Sequence, residues 1–141
     1  MDVVEFVNSY QSKRLLYHIT PDVYDAFQNC SGDRNPLHTD SDYAQKKGFP
    51  ECVMYGNILN AFVSHFVGMA LPTPDIFIQT QDIQYRKPVF LNDTILLEAS
   101  IEKVSYAVEV IVFNLHFYRS ANDSLELVAK GHVQIGLLHD K

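Results

Sequence analysis

The sequence is poor in cysteine, in positive charge and in long apolar runs, and each shortage excludes a class of protein. Its only cysteines, Cys30 and Cys52, cannot build a disulfide framework, and they lack the close Cys-x-x-Cys spacing of a metal or redox site. Both are read as reduced packing residues. No window approaches the roughly 20 consecutive apolar residues of a membrane span. Met1-Asp2-Val3-Val4-Glu5 offers no basic stretch leading into an apolar core of signal-peptide length. A cytoplasmic chain without membrane insertion is therefore expected. The 11 Lys and Arg residues against 17 Asp and Glu give a formal net charge of -6. That balance disfavours binding to phosphate backbones, so nucleic acid is not an expected partner. Repeats, low-complexity tracts and Pro/Gly/Ser linkers are also missing, which leaves one domain over residues 1–141. Hydrophobic residues make up 47% of the chain, enough for a core at a length that buries roughly two thirds of the unfolded surface.

The hydrophobic period changes along the chain. Up to about Leu71 the apolar residues recur at helical spacing, and from Ile76 to Leu138 they follow the period of two of strands. Thr20-Pro21-Asp22 is a helix start, with a capping hydroxyl, a proline suited to the first turn and an acid that complements the dipole. Val23, Ala26, Phe27 and Cys30 then share a face, and Gly32 ends the helix just before Asp33. A short helix is expected from Asp40 or Ser41 to Lys47, stopped by Gly48. A third, from about Gly56 to Ala70, is apolar on most of its circumference and must be buried. Its one remaining stripe is small: Asn57, Ala61, Ser64 and Gly68. Strands are expected over Ile76–Arg86, Thr94–Val104, Ala107–Arg119 and Leu125–Leu138. The short linkers Leu91-Asn92-Asp93, Ser105-Tyr106 and Ser120-Ala121-Asn122-Asp123 make neighbouring strands antiparallel. The expected class is α+β, a long antiparallel sheet wrapped around one buried helix.

Chemistry is concentrated in Ser31-Gly32-Asp33-Arg34-Asn35-Pro36-Leu37-His38. Pro36 fixes its own φ and biases Asn35 toward an extended shape, which limits how Asp33 and His38 can be disposed. A carboxylate and an imidazole held in one loop can grip a water from two sides, and both are suited to general acid–base work. Taken alone, the spacing is equally that of two structural loop residues.

Ser31–Asp42 resembles the signature of the MaoC-like dehydratases and (R)-specific enoyl-CoA hydratases, Gly-Asp-x-Asn-Pro-hydrophobic-His followed by an acid. Gly48-Phe49-Pro50 leading to Val53-Met54-Tyr55-Gly56, and Tyr85-Arg86-Lys87-Pro88-Val89-Phe90 leading to Asn92-Asp93-Thr94, match two further blocks in order. The likeness runs over roughly residues 15 to 135. It implies a hot dog fold, with Asp33 and His38 holding the reactive water and the backbone N–H of Gly56 receiving the thioester oxygen. Such an amide at the positive end of a helix would stabilise an enolate. The resemblance also brings in Ser64, eight residues on, as a hydroxyl facing the dyad, beside its alternative as a packing serine. Tyr55 stands where the family usually has His, and Asn92 where it commonly has Gly, which an αL turn tolerates.

The resemblance implies an acyl-CoA or acyl carrier protein thioester as substrate, a homodimer, and neither a metal nor a cofactor. His18, His65, His116, His132 and His139 show no ligand spacing. Asn35, Tyr55 and Asn57 are candidate substrate contacts. Arg34, Arg86 and Lys87, with Lys46 and Lys47, are either phosphate contacts or solvated surface charges. Two other functions remain in view. One is a hot dog acyl-thioesterase, a group that lacks the Gly-Asp-x-Asn-Pro-x-His loop. The other is a protein that binds acyl thioesters without turning them over.

Overall fold

A computed structural model describes residues 1–141. The helices are α1 (Val3–Ser9), α2 (Pro21–Ser31), α3 (Pro36–Thr39), α4 (Ser41–Lys46) and α5 (Ile58–Met69). The strands are β1 (Lys13–His18), β2 (Ile76–Tyr85), β3 (Thr94–Ser105), β4 (Val110–Ala121) and β5 (Ser124–Leu137). All five strands join one antiparallel sheet in the order β1-β3-β4-β5-β2. The sheet curls around α5, which is the α+β, hot dog arrangement the sequence pattern implies.

The core lies between α5 and the concave face of the sheet. Ile58, Leu59, Phe62, Val63, Phe66 and Val67 of α5 are all buried. They meet Ile95, Leu97 and Ala99 of β3, Ile111, Phe113, Leu115 and Phe117 of β4, and Val133 and Ile135 of β5. Each alternates with a more exposed neighbour, as a two-residue period demands. Phe113 takes the rings of Phe66 and Tyr10 edge-on, with centroids 5.3 and 5.1 Å away. Tyr10 follows α1 and donates its hydroxyl to the Ala99 carbonyl at 2.6 Å, which fastens α1 over the end of the core.

The structure corrects several boundaries. Residues 13–18, inside the region read as helical, form the edge strand β1, paired from Lys13↔Ala99 to His18↔Thr94. Pairing with β3, a contact distant in sequence, decides the local conformation there. The expected strand at Ala107 begins only at Val110, because Tyr106 to Glu109 form the turn and Glu109 takes φ +51°. On α2 the inward face consists of Val23, Tyr24, Phe27 and Gln28, while Ala26 and Cys30 are exposed. Other local signals hold. The Thr20 hydroxyl accepts the Val23 N–H, and Gly32 closes α2 at φ +70°. Asn122 and Asp123 at φ 49° and 63° make a two-residue hairpin turn between β4 and β5. Asn92 adopts φ 67°.

Candidate active site

The dyad loop begins where α2 stops. Asp33 Oδ1 accepts the Asn35 N–H at 2.9 Å, and Asn35 Oδ1 accepts the Leu37 N–H at 2.9 Å, capping the proline-led turn of α3. One Asp33 oxygen is thus spent on the loop. The other, Oδ2, faces His38 Nε2 at 3.9 Å. That separation is too long for a direct hydrogen bond and fits a bridging water.

His38 is held from its other side. Its Nδ1 lies 2.6 Å from the Val53 carbonyl, which only accepts, so Nδ1 carries a proton. In the neutral ring Nε2 is then the bare nitrogen, and it is the one that faces Asp33. The Val53 N–H in turn binds the Leu37 carbonyl at 3.1 Å, which ties the loop to the segment entering α5.

His38 lines a cavity of about 550 Å³ with Phe49, Val53, Met54, Gly56, Asn57, Leu59, Tyr85, Arg86, Lys87, Pro88 and Val89. Its size is that of a ligand pocket, and it mixes apolar walls with a few polar groups. Gly56 and Asn57 stand at the head of α5. The first helical bonds there run from the N–H groups of Ile58, Leu59 and Asn60 back to the carbonyls of Tyr55, Gly56 and Asn57. The Gly56 and Asn57 N–H groups give themselves to no backbone acceptor. A Cβ at 56 would lie 2.8 Å from Tyr85 Cε1, so any larger residue there must displace the Tyr85 ring.

Tyr85, at the end of β2, was not singled out in the sequence, although it opens the Tyr-Arg-Lys-Pro block. Its hydroxyl donates to Asn57 Oδ1 at 3.1 Å and accepts from Asn60 Nδ2 at 3.2 Å. Burial pushes the Tyr85 phenol above its ordinary pKa, and the Asn60 bond opposes that rise. Lys87 pairs with Glu126 at 2.8 Å. The ammonium beside it holds the Glu126 carboxyl below the usual carboxylate range. Glu126 also faces Arg119, whose Nη2 donates to Asp93 Oδ1 at 3.1 Å while its Nε lies 2.9 Å from Asp93 Oδ2.

The cavity brings together His38, Gly56, Asn57, Arg86 and Lys87, with Asp33 alongside His38. Six other candidates lie elsewhere. Asn35 spends its side-chain oxygen on the α3 cap, and Arg34 turns back to Gln28 Oε1 at 2.9 Å. Tyr55 is 2% exposed and packs its ring on His38 and α2, away from the cavity lining. Ser64 is exposed on α5 within the small-residue stripe. Lys46 and Lys47 are exposed at the end of α4, Lys47 over the Tyr43 ring. No helix is long and apolar enough to cross a membrane.

Comparison with known proteins agrees with this fold. Residues 5–115 match the model of the MaoC like domain. An (R)-specific enoyl-CoA hydratase of Rhodospirillum rubrum is 31% identical over 80 residues, 57% of this chain and 55% of that protein. One from Aeromonas caviae is 30% identical over 76 residues, 54% of this chain and 57% of the relative. The chain thus aligns with little more than half the length of these curated relatives. The solved (R)-hydratase from A. caviae involved in PHA biosynthesis superimposes with a TM-score of 0.80 at 23% identity, covering 90% of this chain and 94% of that one. That likeness is one of fold.

If Asn35 serves as a cap, Asn35→Asp should keep the stability of the wild type, whereas Asn35→Ala should lose about 1 kcal/mol. Urea unfolding checks this. Equal losses in both variants would mean that the side-chain amide, and not the capping oxygen, is what the loop needs.

Proposed function

This chain belongs to the MaoC-like domain family, and we propose that it is a hydro-lyase interconverting trans-2-enoyl and (R)-3-hydroxyacyl thioesters of coenzyme A or an acyl carrier protein. The observation that carries the proposal is the paired disposition of Asp33 Oδ2 and His38 Nε2, 3.9 Å apart, with His38 on a cavity that also holds the Gly56 N–H. In the hydration direction Asp33 Oδ2 accepts one hydrogen of a water bridging the pair and orients it, while the bare Nε2 of His38 takes its other proton as the water oxygen adds to C3. The imidazolium so formed returns that proton from Nε2 to C2, which leaves both side chains as they began. The negative charge that develops on the thioester oxygen meets the Gly56 N–H at the positive end of α5. Dehydration is the same path reversed. The (R) configuration rests on the names of the curated relatives.

The cavity supports a thioester with a long polar arm. Arg86 and Lys87 stand on its wall as cations for phosphate, and Asn57 supplies an amide beside Gly56. Lys87 is already paired with Glu126, so Arg86 is the freer cation of the two.

A homodimer is part of the same reading. β2 is an edge strand with Phe77 and Ile78 exposed, and it borders the exposed stripe of α5 that contains Asn57, Ala61, Ser64 and Gly68. A second copy pairing along this edge would satisfy the unpaired N–H and C=O groups of β2 and cover the stripe. Ser64 would then be enclosed, where its hydroxyl can orient a catalytic group.

Asp33→Asn and His38→Ala should each remain folded and lose about 10²–10⁴-fold in the hydration rate of crotonyl-CoA, followed as loss of the enoyl absorbance. Near-normal turnover in either variant would reject the dyad, and free thiol released by the wild type would indicate a thioesterase. Light scattering at micromolar concentration should give a mass well above the chain's own 16.1 kDa. A mass at that value rules out the dimer.

A further inference from the structure

The residue that departs from the family pattern, Tyr55, is built into the loop that carries the dyad. We propose that Tyr55, Gln28 and Tyr24 form a clamp that positions Asp33 and His38, and that Tyr55 is a positioning residue for the hydration step. This inference rests on the dyad reading above.

The clamp grips the two backbone carbonyls of the dyad. The Tyr55 hydroxyl donates to the carbonyl of Asp33, and the Tyr24 hydroxyl donates to the carbonyl of His38 at 2.8 Å. Each phenol has one proton and has given it to an oxygen that only accepts, so a further partner must be a donor. Gln28 supplies it. Its Nε2 lies 3.1 Å from the Tyr55 hydroxyl and 3.2 Å from the Tyr24 hydroxyl. With the amide nitrogen committed to both phenols, the amide oxygen must face away, and there it accepts from Arg34 Nη1 at 2.9 Å. Every donor and acceptor direction in the set is thereby fixed.

The rings add a second constraint. Tyr55 lies against the His38 imidazole with centroids 4.2 Å apart, and against Tyr24 and Phe27 at 5.6 and 4.9 Å. The imidazole is therefore backed by an aromatic face while its Nδ1 is held by the Val53 carbonyl. Tyr55 directly precedes Gly56, so one short segment sets both the dyad and the N–H proposed for the thioester oxygen. Because the Tyr55 side chain does not line the cavity, it acts through the dyad and not on the substrate.

The test compares Tyr55→Phe, which keeps the ring and removes the hydroxyl, with Gln28→Met and the double variant. A shift of the order of 1 Å in a catalytic group can cost up to about 10²-fold in rate. Tyr55→Phe should therefore lower kcat on crotonyl-CoA by about 10-fold while KM stays within about twofold. Gln28→Met should do the same, and the double variant should be no worse than either single one, since all three break one clamp. Wild-type kcat in Tyr55→Phe overturns the proposal. So does a rise in KM that accounts for the whole loss, which would make Tyr55 a substrate contact. If the wild type itself does not hydrate the enoyl thioester, the dyad reading fails and the clamp is judged by NMR amide exchange. In that case Tyr55→Phe should speed exchange of the Asn35 and Leu37 amides, and unchanged exchange overturns the clamp.

Discussion

Burial of α5 against the concave sheet is the constraint on which the rest of the molecule depends. Ile58, Val63 and Phe66 are fully enclosed and Leu59 is nearly so. Each such side chain contributes about 1.5–3 kcal/mol relative to exposure, so the helix has one energetically acceptable place. That placement fixes where its N-terminus emerges. Gly56 and Asn57 arrive beside the end of β2, and Val53 and Tyr55 arrive beside the dyad loop. The site is thus assembled mainly by packing of groups outside it, with Leu59 shared between the core and the cavity wall.

Backbone groups hold the side chains that matter. The Val53 carbonyl sets the His38 tautomer, the Asn35 amide takes one oxygen of Asp33, and the carbonyls of both dyad residues are held by phenols. The bonds to the Asp33, His38 and Val53 carbonyls are half-buried, and such a carbonyl left without its donor costs up to about 1–3 kcal/mol. The segment from Asp33 to His38 is therefore held at several points, although only its end, from Pro36, is helical. The charges opposite it are committed to different degrees. Arg119 is locked between Asp93 and Glu126, whereas Arg86 stands free on the cavity wall.

Much of this was legible in the residues. Thr20-Pro21 and Gly32 bracket α2 as capping chemistry requires, and the all-apolar circumference of α5 demanded burial. The alternation of β3 and β4 placed Ile95, Leu97, Phe113 and Leu115 on one face, and the loop from Ser31 to His38 stood out as the candidate place of chemistry. β1 was not legible, because six residues with adjacent Leu15 and Leu16 satisfy no period and are set by pairing with β3. Side-chain direction was also hidden. Arg34, Asn35 and Tyr55 sit in the right segments, yet hydrogen bonds to Gln28, Leu37 and Asp33 turn them to structural work. Tyr85 was missed for the opposite reason: its place over Gly56 follows from the register of β2 on β5, which no local pattern encodes.

The central claim is that Asp33 and His38 deliver a water to the carbon chain and leave the thioester bond intact. Mass spectrometry of crotonyl-CoA incubated with the protein in heavy-oxygen water tests it directly. The account predicts one heavy oxygen on C3 of an intact 3-hydroxybutyryl-CoA, with no free coenzyme A. Heavy oxygen in a free carboxylate accompanied by released thiol would contradict it.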